Sequence, residues 1–418
     1  MLLGAIADDL TGATDLALTL TRGGMKVLQV VGVPPSGAQF ADADAVVVSL
    51  KSRTIPASEA VAMSITAGEA LLAAGARQLF FKYCSTFDST DAGNIGPVTD
   101  ALLALLGESR TLACPAFPTN KRTVYQGHLF VGDVLLSDSP MKDHPLTPMR
   151  DANLVRVLGR QTARAVVLVE HGCVRAGTEA LRARLEAVEG IAIVDAISDA
   201  DLRTIAAAAS RLRLITGGSG VALGLPDVYA QAGLLRASTP ANAMAAPQGR
   251  AAILAGSCSA ATRRQIDLAR SRGTPALQVE AAQIAENQIT VSEAADFVER
   301  NSDGLVPLVY SSADPEQVRA VQKTYGTTIA GEMIEQFMGQ LAQMLAQRGF
   351  TRFLIAGGET SGAVIQSLGV TALQIGPEID PGVPWTLSSG EGRNFALALK
   401  SGNFGTDDFF LKAWDLLQ

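Results

Sequence analysis

The stretch GAIADDLTGATDLALTL (Gly4–Leu20) contains an apolar run that stops at two adjacent carboxylates, Asp8 and Asp9. A short turn of hydroxyl and glycine residues follows, and then apolar residues recur with helical spacing. This pattern predicts a buried strand, a turn and a helix, the first half of a βαβ unit. Two interpretations of the carboxylates stay open. They are chemical groups at a strand end, where parallel sheets bind ligands, or a polar turn in which Thr11 or Asp9 caps the helix.

The same alternation of β-rich runs and helical stretches continues along the chain. In the first half, helical stretches such as Glu59–Ala74 and Thr178–Ala187 separate the predicted strands Leu2–Ala7, Val27–Val31, Ala45–Leu50, Gln78–Lys82, Thr111–Ala113, Ala165–Val169, Ile191–Val194 and Leu212–Thr216. A second series comprises Ala251–Ala255, Thr274–Gln278, Gly304–Tyr310, Arg352–Ala356 and Ala372–Ile375. Strands separated by helices predict an α/β fold with mostly parallel sheets flanked by helices.

A chain of 418 residues is long for a single hydrophobic core, so two domains are expected. The segment RASTPANAMAAPQGR (Arg236–Arg250) is rich in Ala, Pro and small polar residues and shows no clear amphipathic period. We therefore predict a first domain over residues 1–235, a linker over 236–250 and a second domain over 251–418, with the active site in the interdomain cleft. The alternative is a surface excursion within one large domain.

Charge and cysteine usage narrow the class of protein. The net charge of −7 provides no general attraction to nucleic acid or to an anionic membrane. The four cysteines are widely spaced without a CxxC pair, which favours reduced thiols over disulfides or a zinc site. The first apolar run lacks a basic flank and meets Asp8 too soon for a signal peptide, and no apolar stretch is long enough to span a bilayer. We expect a cytoplasmic protein that binds neither nucleic acid nor membrane.

Three Gly-rich turns in the second half suggest an anion site. FLIAGGETSGAVIQSLG (Phe353–Gly369) predicts a buried strand, a turn and a helix from about Ser361. It is not a P-loop, because Ala363 and Val364 stand where that motif has Lys and Ser/Thr. The other turns are in AGSCSAAT (residues 255–262) and LKSGNFG (residues 399–405), where Lys400 is adjacent. Gathered at the ends of parallel strands, they would form a nucleotide crevice; the alternative is simple tight-turn geometry.

Several loops of the first half combine cations, acids and hydroxyls. The densest is FFKYCSTFDSTDAGNIG (Phe80–Gly96), and SLKSRTIP (Ser49–Pro56) adds two more cations. Such sets suit a small hydroxy-carboxylate, which needs a cation for its acid group and polar partners for its alcohols. Further candidates lie in FPTNKRTVYQGHLFV and SPMKDHPLTPM, although for any single Lys or Arg in these loops a solvated surface charge is the commoner role. None of the three histidines forms a ligand-like pair, which argues against a His-based metal centre.

Eight segments resemble the four-carbon acid sugar kinase family, and they occur in the family's order. They are IADDLTGATD, SLKSRT, KYCSTFDSTDAGNIG, LITGGSGVA, LAGSCSAAT, IAGGETSGAV, IGPEIDPGVPW and LKSGNFG. KYCSTFDST, CPAFPTNKRTVYQGHLFV and HPLTPM are most similar to the family branch that acts on 3-oxo-tetronate. The D-threonate and D-erythronate branches differ around Lys82–Ser89.

The resemblance implies an amino-terminal acid-sugar domain, a carboxyl-terminal ATP domain and Mg²⁺-dependent phosphoryl transfer to the 4-hydroxyl of a four-carbon sugar acid. The candidate catalytic residues are Asp8, Asp9 and Asp88. The candidate substrate-binding residues are Arg53, Lys82, Ser85, Ser89, Asn94 and Arg122. The candidate ATP-binding residues are Ser257, Ser259, Gly357, Gly358, Glu359, Thr360, Ser361, Gly402, Asn403 and Gly405.

Other readings stay open at this point. Metal ligands are unassigned, although Asp380 is a candidate to hold the metal or line the cleft. The partners expected are a sugar acid and ATP, and a homodimer is left open. The alternative enzymes are D-threonate or D-erythronate 4-kinases, and the alternative of another class is a sugar-acid-binding or sensor protein without chemistry. A dehydrogenase is disfavoured because no G-x-G-x-x-G follows a strand with an acid downstream.

Overall fold

The structure is a computed structural model that describes residues 1–35, 37–40, 42–144, 146–235, 244–311, 327–389 and 394–417. Its internal contacts divide the chain into two compact units, Met1–Pro240 and Ala241–Gln418. Residues 236–243 of the expected linker lie outside the described residues, so the linker and its limits stay predictions. Among the described helices, none has the length and apolar character needed to cross a bilayer.

The first unit contains an all-parallel sheet with the strand order β2-β3-β1-β4-β11-β5-β10-β9. A small antiparallel sheet, β6-β7-β8, lies outside it. The strands are β1 (Leu3–Ala7), β2 (Val27–Val31), β3 (Ala45–Ser49), β4 (Gln78–Lys82), β5 (Arg110–Cys114), β6 (Arg122–Tyr125), β7 (His128–Val131), β8 (Val134–Leu135), β9 (Val166–Val169), β10 (Gly190–Val194) and β11 (Leu214–Gly217). The helices are α1 (Leu10–Arg22), α2 (Ala57–Ala73), α3 (Ile95–Leu106), α4 (Leu154–Gly159), α5 (His171–Arg175), α6 (Thr178–Glu186), α7 (Asp199–Ala208) and α8 (Leu225–Gln231).

The strand order creates a switch point between β1 and β4. The chain leaves β1 toward β2 on one side of the sheet and leaves β4 toward β5 on the other. Both strands are fully buried, as expected for apolar runs covered on both faces. Adjacent parallel strands whose connections run in opposite directions leave a crevice at their carboxyl ends, where α/β folds bind ligands.

The second unit contains a sheet with the order β13-β14-β12-β15-β18-β17-β16, which is parallel from β13 to β18 and antiparallel beyond. Its strands are β12 (Arg250–Ala255), β13 (Ala276–Gln278), β14 (Leu308–Tyr310), β15 (Phe350–Ala356), β16 (Ala372–Asp380), β17 (Val383–Ser389) and β18 (Ala396–Lys400). Its helices are α9 (Ala260–Ser271), α10 (Ala281–Ala285), α11 (Val291–Arg300), α12 (Thr327–Gln347), α13 (Gly358–Ser367) and α14 (Phe409–Lys412). The core of this unit includes the buried rings of Trp385, Phe409 and Phe410.

The predicted fold class is confirmed, and most predicted strands lie within two residues of the observed limits. The sheet β6-β7-β8 and the strands β17 and β18 were not predicted. The predicted strand Gly304–Tyr310 is shorter, and α13 begins at Gly358 rather than near Ser361. The early start has a local cause: Gly357 adopts φ 128°, which breaks the strand and lets the helix begin at the next residue.

Candidate active site

Three strand ends converge on Asp8 in the first unit. Ala7, the last residue of β1, pairs with Ser49 of β3 and with Lys82 of β4. The Asp8 N–H donates to the Lys82 carbonyl at 3.0 Å, and the Asp8 carbonyl accepts from the Ser52 N–H at 3.0 Å. The parallel sheet therefore brings together the loops that carry the predicted acids and cations.

Arg53 occupies the centre of this group of charges. Its Nε and Nη2 donate to the two Asp8 carboxylate oxygens at 2.9 and 2.8 Å, and Nη2 also donates to Asp9 Oδ1 at 2.7 Å. Its Nη1 lies 3.7 Å from Asp88 Oδ2. A guanidinium has five N–H donors, and these contacts use those on Nε and Nη2. The Nη1 edge therefore retains donor capacity for a ligand.

Asp9 caps helix α1. One of its carboxylate oxygens accepts from the Gly12 N–H at 3.1 Å, and the other accepts from the Thr11 hydroxyl at 2.8 Å. Burial raises the pKa of the Asp9 carboxyl, but Arg53 and Lys82 more than offset this and hold the pKa below its ordinary value. Asp9 is therefore a helix cap, as one interpretation of the ADD turn expects, and it also contacts Arg53 in the group of charges at the strand end.

Asp8 differs from its neighbour in its titration. Burial raises the pKa of the Asp8 carboxyl above its ordinary value, although the Arg53 guanidinium opposes this shift. Two adjacent carboxyls whose pKa values are displaced in opposite directions can take different roles in proton transfer. Asp8 is therefore the better proton acceptor of the two, and Asp9 is the more firmly ionised.

Lys82 lies against the first turn of α1 and is buried. Its ammonium donates to the Tyr83 carbonyl at 2.8 Å. A Cβ on Gly12 would lie 2.3 Å from Asp9 Oδ1 and 2.8 Å from Lys82 Nζ, so only glycine fits there. The turn of the ADDLTG motif is therefore packed directly against the Lys82 ammonium.

The loop after β4 carries four more of the predicted residues, Ser85, Asp88, Ser89 and Asn94. Asp88 accepts from the Thr86 hydroxyl at 2.6 Å. Ser85 is half-buried, whereas Ser89 is buried and its hydroxyl accepts from Gln161 Nε2 at 2.9 Å. Asn94 Nδ2 donates to three carbonyls of the Arg53 loop, those of Ser52, Arg53 and Ile55, at 2.7, 3.3 and 2.9 Å. Asn94 thus holds Arg53 in place through the backbone.

Arg122 lies in β6 of the small antiparallel sheet, and its guanidinium donates to the Asn120 carbonyl. Within the described part of the chain, no contact joins it to Asp8 or Arg53. Its predicted role in substrate binding stays a prediction.

In the second unit, the three predicted turns follow three adjacent strands. Ala255 of β12 pairs with Ala356 of β15, which pairs with Lys400 of β18. The Ser257 N–H donates to the Ala356 carbonyl at 3.1 Å, and the Gly357 N–H donates to the Lys400 carbonyl at 2.8 Å. The turns thus gather at one edge, where the amino termini of α9 and α13 also begin.

The Gly402 carbonyl joins two of these turns. It accepts from the hydroxyls of Ser259 and Thr262 at 2.5 and 2.9 Å and from Lys400 Nζ at 2.9 Å. A Cβ on Gly402 would lie 2.4 Å from Ser257 Oγ, so glycine is required for this close approach. Asn403 is exposed beside it.

The remaining candidates of this unit lie in α13 and after Gly402. Glu359, Thr360 and Ser361 belong to the first turn of α13, where backbone N–H groups without helical partners favour anions. Glu359 is exposed, whereas Thr360 and Ser361 are buried. Gly405 adopts φ 84°, which permits the sharp turn before α14.

Two family models match this chain, one in each of its two units. Residues 3–225 match a family model described as a sugar-binding N-terminal domain, and residues 252–410 match one described as a nucleotide-binding C-terminal domain. A 3-oxo-tetronate kinase of Pseudomonas fluorescens is 53% identical over 417 residues, which cover 99% of this chain and 96% of that protein. The chain belongs to the four-carbon acid sugar kinase family.

A second relative and two solved structures are also similar to this chain. The 3-oxo-tetronate kinase of Cupriavidus necator is 51% identical over 418 residues, 99% of this chain and 96% of that protein. A crystal structure from Salmonella typhimurium LT2 has a TM-score of 0.87 at 41% identity, covering 100% of this chain and 99% of that one. A Haemophilus influenzae structure has a TM-score of 0.79 at 41% identity, covering 99% and 100%.

Asp380, a family-motif residue considered for metal binding, has hydrogen-bond partners within the second unit. Its carboxylate accepts from the Thr406 N–H and hydroxyl at 2.8 and 2.9 Å and from Lys412 Nζ at 2.7 Å. Among the described residues, no group of three or more His, Cys, Asp or Glu side chains is arranged to hold a metal ion.

Some residues of these family motifs were overlooked as site residues. Asp15 is buried in α1 near Lys82 and accepts from the Ser219 hydroxyl, which follows β11. Thr262 and Lys400 join the Gly402 turn. Each is a polar residue in or beside an apolar run, and this signal could have identified them.

Proposed function

We propose that this chain is an ATP-dependent kinase that converts 3-oxo-tetronate to 3-oxo-tetronate 4-phosphate. The observation that carries the proposal is similarity over nearly the entire chain to several curated relatives that bear this activity as their name. The charged group around Arg53 and the Gly-rich turns of the second unit supply the chemistry that such a reaction needs. A cytoplasmic location, where ATP is available, belongs to the same proposal.

Asp8 acts as the general base in this proposal. Its two oxygens are engaged by Arg53, and its raised pKa makes it a better proton acceptor than an ordinary aspartate. Asp8 takes the proton of the 4-hydroxyl while that oxygen attacks the γ-phosphorus. The bond from the γ-phosphorus to the bridging oxygen then breaks, and ADP leaves with that oxygen. Phosphoryl transfer also depends on positioning and charge neutralisation, so the contact of Asp8 with Arg53 matters as well as its basicity.

Arg53 orients the acceptor. Its Nη1 edge faces Asp88 at 3.7 Å and provides donors for the carboxylate or the oxo group of the sugar acid. Asp9 and Asp88 fix the guanidinium from two further sides, and Lys82 offsets part of the negative charge that these acids create. Ser85, which is half-buried in the same loop, is a further hydrogen-bonding partner for the substrate.

The Gly-rich turns bind ATP in this proposal. The first turn of α13 offers backbone N–H groups to the phosphates, and Ser257, Ser259 and Gly402 form the opposite wall. Mg²⁺ enters with ATP as part of the substrate, since phosphate oxygens and water commonly supply most of its ligands.

The test is an ADP-release assay on the full chain with 3-oxo-tetronate, D-threonate and D-erythronate as acceptors. We expect 3-oxo-tetronate to have a kcat/KM larger than the others by orders of magnitude, because a few hydrogen bonds decide such discrimination. A preference for D-threonate or D-erythronate would contradict 3-oxo-tetronate as the substrate, but it would still support ATP-dependent phosphorylation of a four-carbon sugar acid. Calorimetric binding of the acid without turnover would overturn the proposal and favour a binding or sensor protein.

A further inference from the structure

Lys400 is a fully buried cation at the end of β18. Its Nζ donates to Thr262 Oγ1 at 3.0 Å and to the carbonyls of Ser401 and Gly402 at 3.1 and 2.9 Å. An ammonium has three donors, so these neutral oxygens use all of them. The side chain therefore does not reach a ligand directly without giving up one of its contacts.

In the part of the chain that the structure describes, no carboxylate balances this charge. Among the residues that the structure describes, none places a carboxylate oxygen within ion-pair distance of Lys400 Nζ. Removing an ammonium from water without an anion costs free energy, and burial lowers the pKa of Lys400 to about 7. By contrast, Lys412 pairs with Asp380 at 2.7 Å and with Asp408 at 3.3 Å.

The position of Lys400 connects it to the nucleotide turns. Its carbonyl accepts from the Gly357 N–H, and its ammonium fixes the carbonyl of Gly402. Ser259 and Thr262 donate to that same carbonyl, so the charge lies at the junction of two turns assigned to ATP. In a buried setting, a positive charge is felt over a longer range than in water.

We propose that Lys400 is a positioning residue for the nucleotide. Its buried ammonium holds the Gly402 turn in place, and its positive charge is balanced by the ATP phosphates when the nucleotide binds. This inference rests on the proposed function, because it assumes that the second unit binds ATP. Lys400 thereby does from beneath the turn part of what the P-loop lysine does by direct contact.

The proposal predicts proton uptake on nucleotide binding. Anionic phosphates favour the charged form, so binding raises the pKa of Lys400 and draws a proton from solution when the free side chain is partly neutral. Affinity for ADP then falls as the pH rises through about 7.

The ionisable side chains on the elements around Lys400 are Arg263, Arg264, Asp267 and Arg270 on α9, Arg352 on β15 and Glu359 on α13. Of these, Arg263 donates to the Cys258 carbonyl and Arg264 pairs with Asp407, so neither is directed at Lys400.

The first experiment is calorimetric titration of the unmodified full chain with ADP at pH 8 in two buffers of different ionisation enthalpy. We expect net proton uptake. Binding of ADP without proton uptake would overturn the role of Lys400 and leave the proposed kinase intact. Absence of ADP binding would overturn the proposed function itself.

The second experiment compares Lys400→Met with the unmodified chain from pH 6.5 to pH 8.5. We expect Lys400→Met to bind ADP about tenfold more weakly at pH 6.5, the scale of lost charge-assisted hydrogen bonds, with the difference shrinking at pH 8.5. Lys412→Met, which removes a lysine with anionic partners, keeps the unmodified pH slope. Circular dichroism and thermal unfolding, compared with the unmodified chain, show that the variants fold. An equal loss at every pH would reveal a merely structural lysine and contradict the inference.

Discussion

Asp8 and Lys400 are both buried ionisable side chains at the carboxyl end of a parallel strand, but their surroundings differ. Asp8 is held by the two-point contact of Arg53, with Asp9 and Asp88 on further sides of the same guanidinium. Lys400 is held by three neutral oxygens, and the described residues offer it no carboxylate. The first site is organised by opposite charges and the second by backbone and hydroxyl groups.

The difference matches the ligands that the two sites are proposed to bind. A sugar-acid hydroxyl must be oriented and deprotonated, which calls for a carboxylate of raised pKa in a fixed position. ATP brings its own negative charge, so its site can leave a cation without a protein counter-charge until the nucleotide arrives.

The largest expected effect comes from Asp8→Asn. The amide cannot accept the hydroxyl proton, so kcat should fall by about 10²–10⁴-fold, the usual range for loss of a general base. Asp9→Asn is the matched control, because Asn still caps α1 and accepts from the Gly12 N–H. We expect it to lose less than about tenfold in kcat. Steady-state kinetics with both variants would contradict the assignment if the two lost activity equally.

Gly402→Ala should produce the next largest effect, and on the nucleotide side alone. The new methyl would lie 2.4 Å from Ser257 Oγ and 3.2 Å from Ser259 Oγ, so the Ser257 hydroxyl or the turn itself must shift. We expect ADP affinity to fall by about tenfold or more, while 3-oxo-tetronate binding stays unchanged. Gly304→Ala is the control, since nothing lies within 4 Å of its added Cβ. Unaltered ADP binding by Gly402→Ala would contradict the packing of these turns.

The raised pKa of Asp8 gives a smaller but diagnostic effect on the pH profile. Asp8 must be ionised to accept a proton, so activity is lost as the pH falls through its raised pKa. The acidic limb of kcat should therefore lie above the ordinary aspartate value of about 3.9, with a slope of one decade per pH unit. A rate profile that stays flat down to that value would contradict Asp8 as the base.

The smallest expected effect comes from Asn94→Ala. Alanine removes the amide that donates to the carbonyls of Ser52, Arg53 and Ile55 without burying a charge. The loop that carries Arg53 should loosen, raising the KM for the sugar acid by about three- to tenfold with little change in ADP affinity. Kinetics with each substrate varied in turn checks this. A rise in KM for ATP alone would place Asn94 in a different role.

The sequence predicts the parts of this arrangement that depend on local pattern. The apolar run before Asp8, the glycines after β15 and the hydroxyls after β12 predict strand ends with polar turns, and parallel pairing brings those ends together. It does not predict how Arg53 divides its donors among three acids, because that depends on Asn94, a residue about forty positions away along the chain. The short antiparallel strands also depend on tertiary pairing rather than on local sequence.

Lys400 shows the same limit in a different form. Its place beside a Gly-rich turn is evident from LKSGNFG, yet its complete burial is not, because surface and buried lysines look alike in a single sequence. The substrate-binding role of Arg122 stays a prediction: the structure places this residue in the sheet β6-β7-β8, where its guanidinium donates to the Asn120 carbonyl.

The most direct test of phosphoryl transfer to the 4-hydroxyl is ³¹P NMR of the product formed from ATP and 3-oxo-tetronate by the full chain. A phosphate on the terminal carbon couples to two methylene protons and gives a triplet, accompanied by one equivalent of ADP. We expect that triplet, and we expect Asp8→Asn to form it far more slowly. A doublet, from a phosphate on the secondary alcohol, or only the singlet of inorganic phosphate would contradict the account.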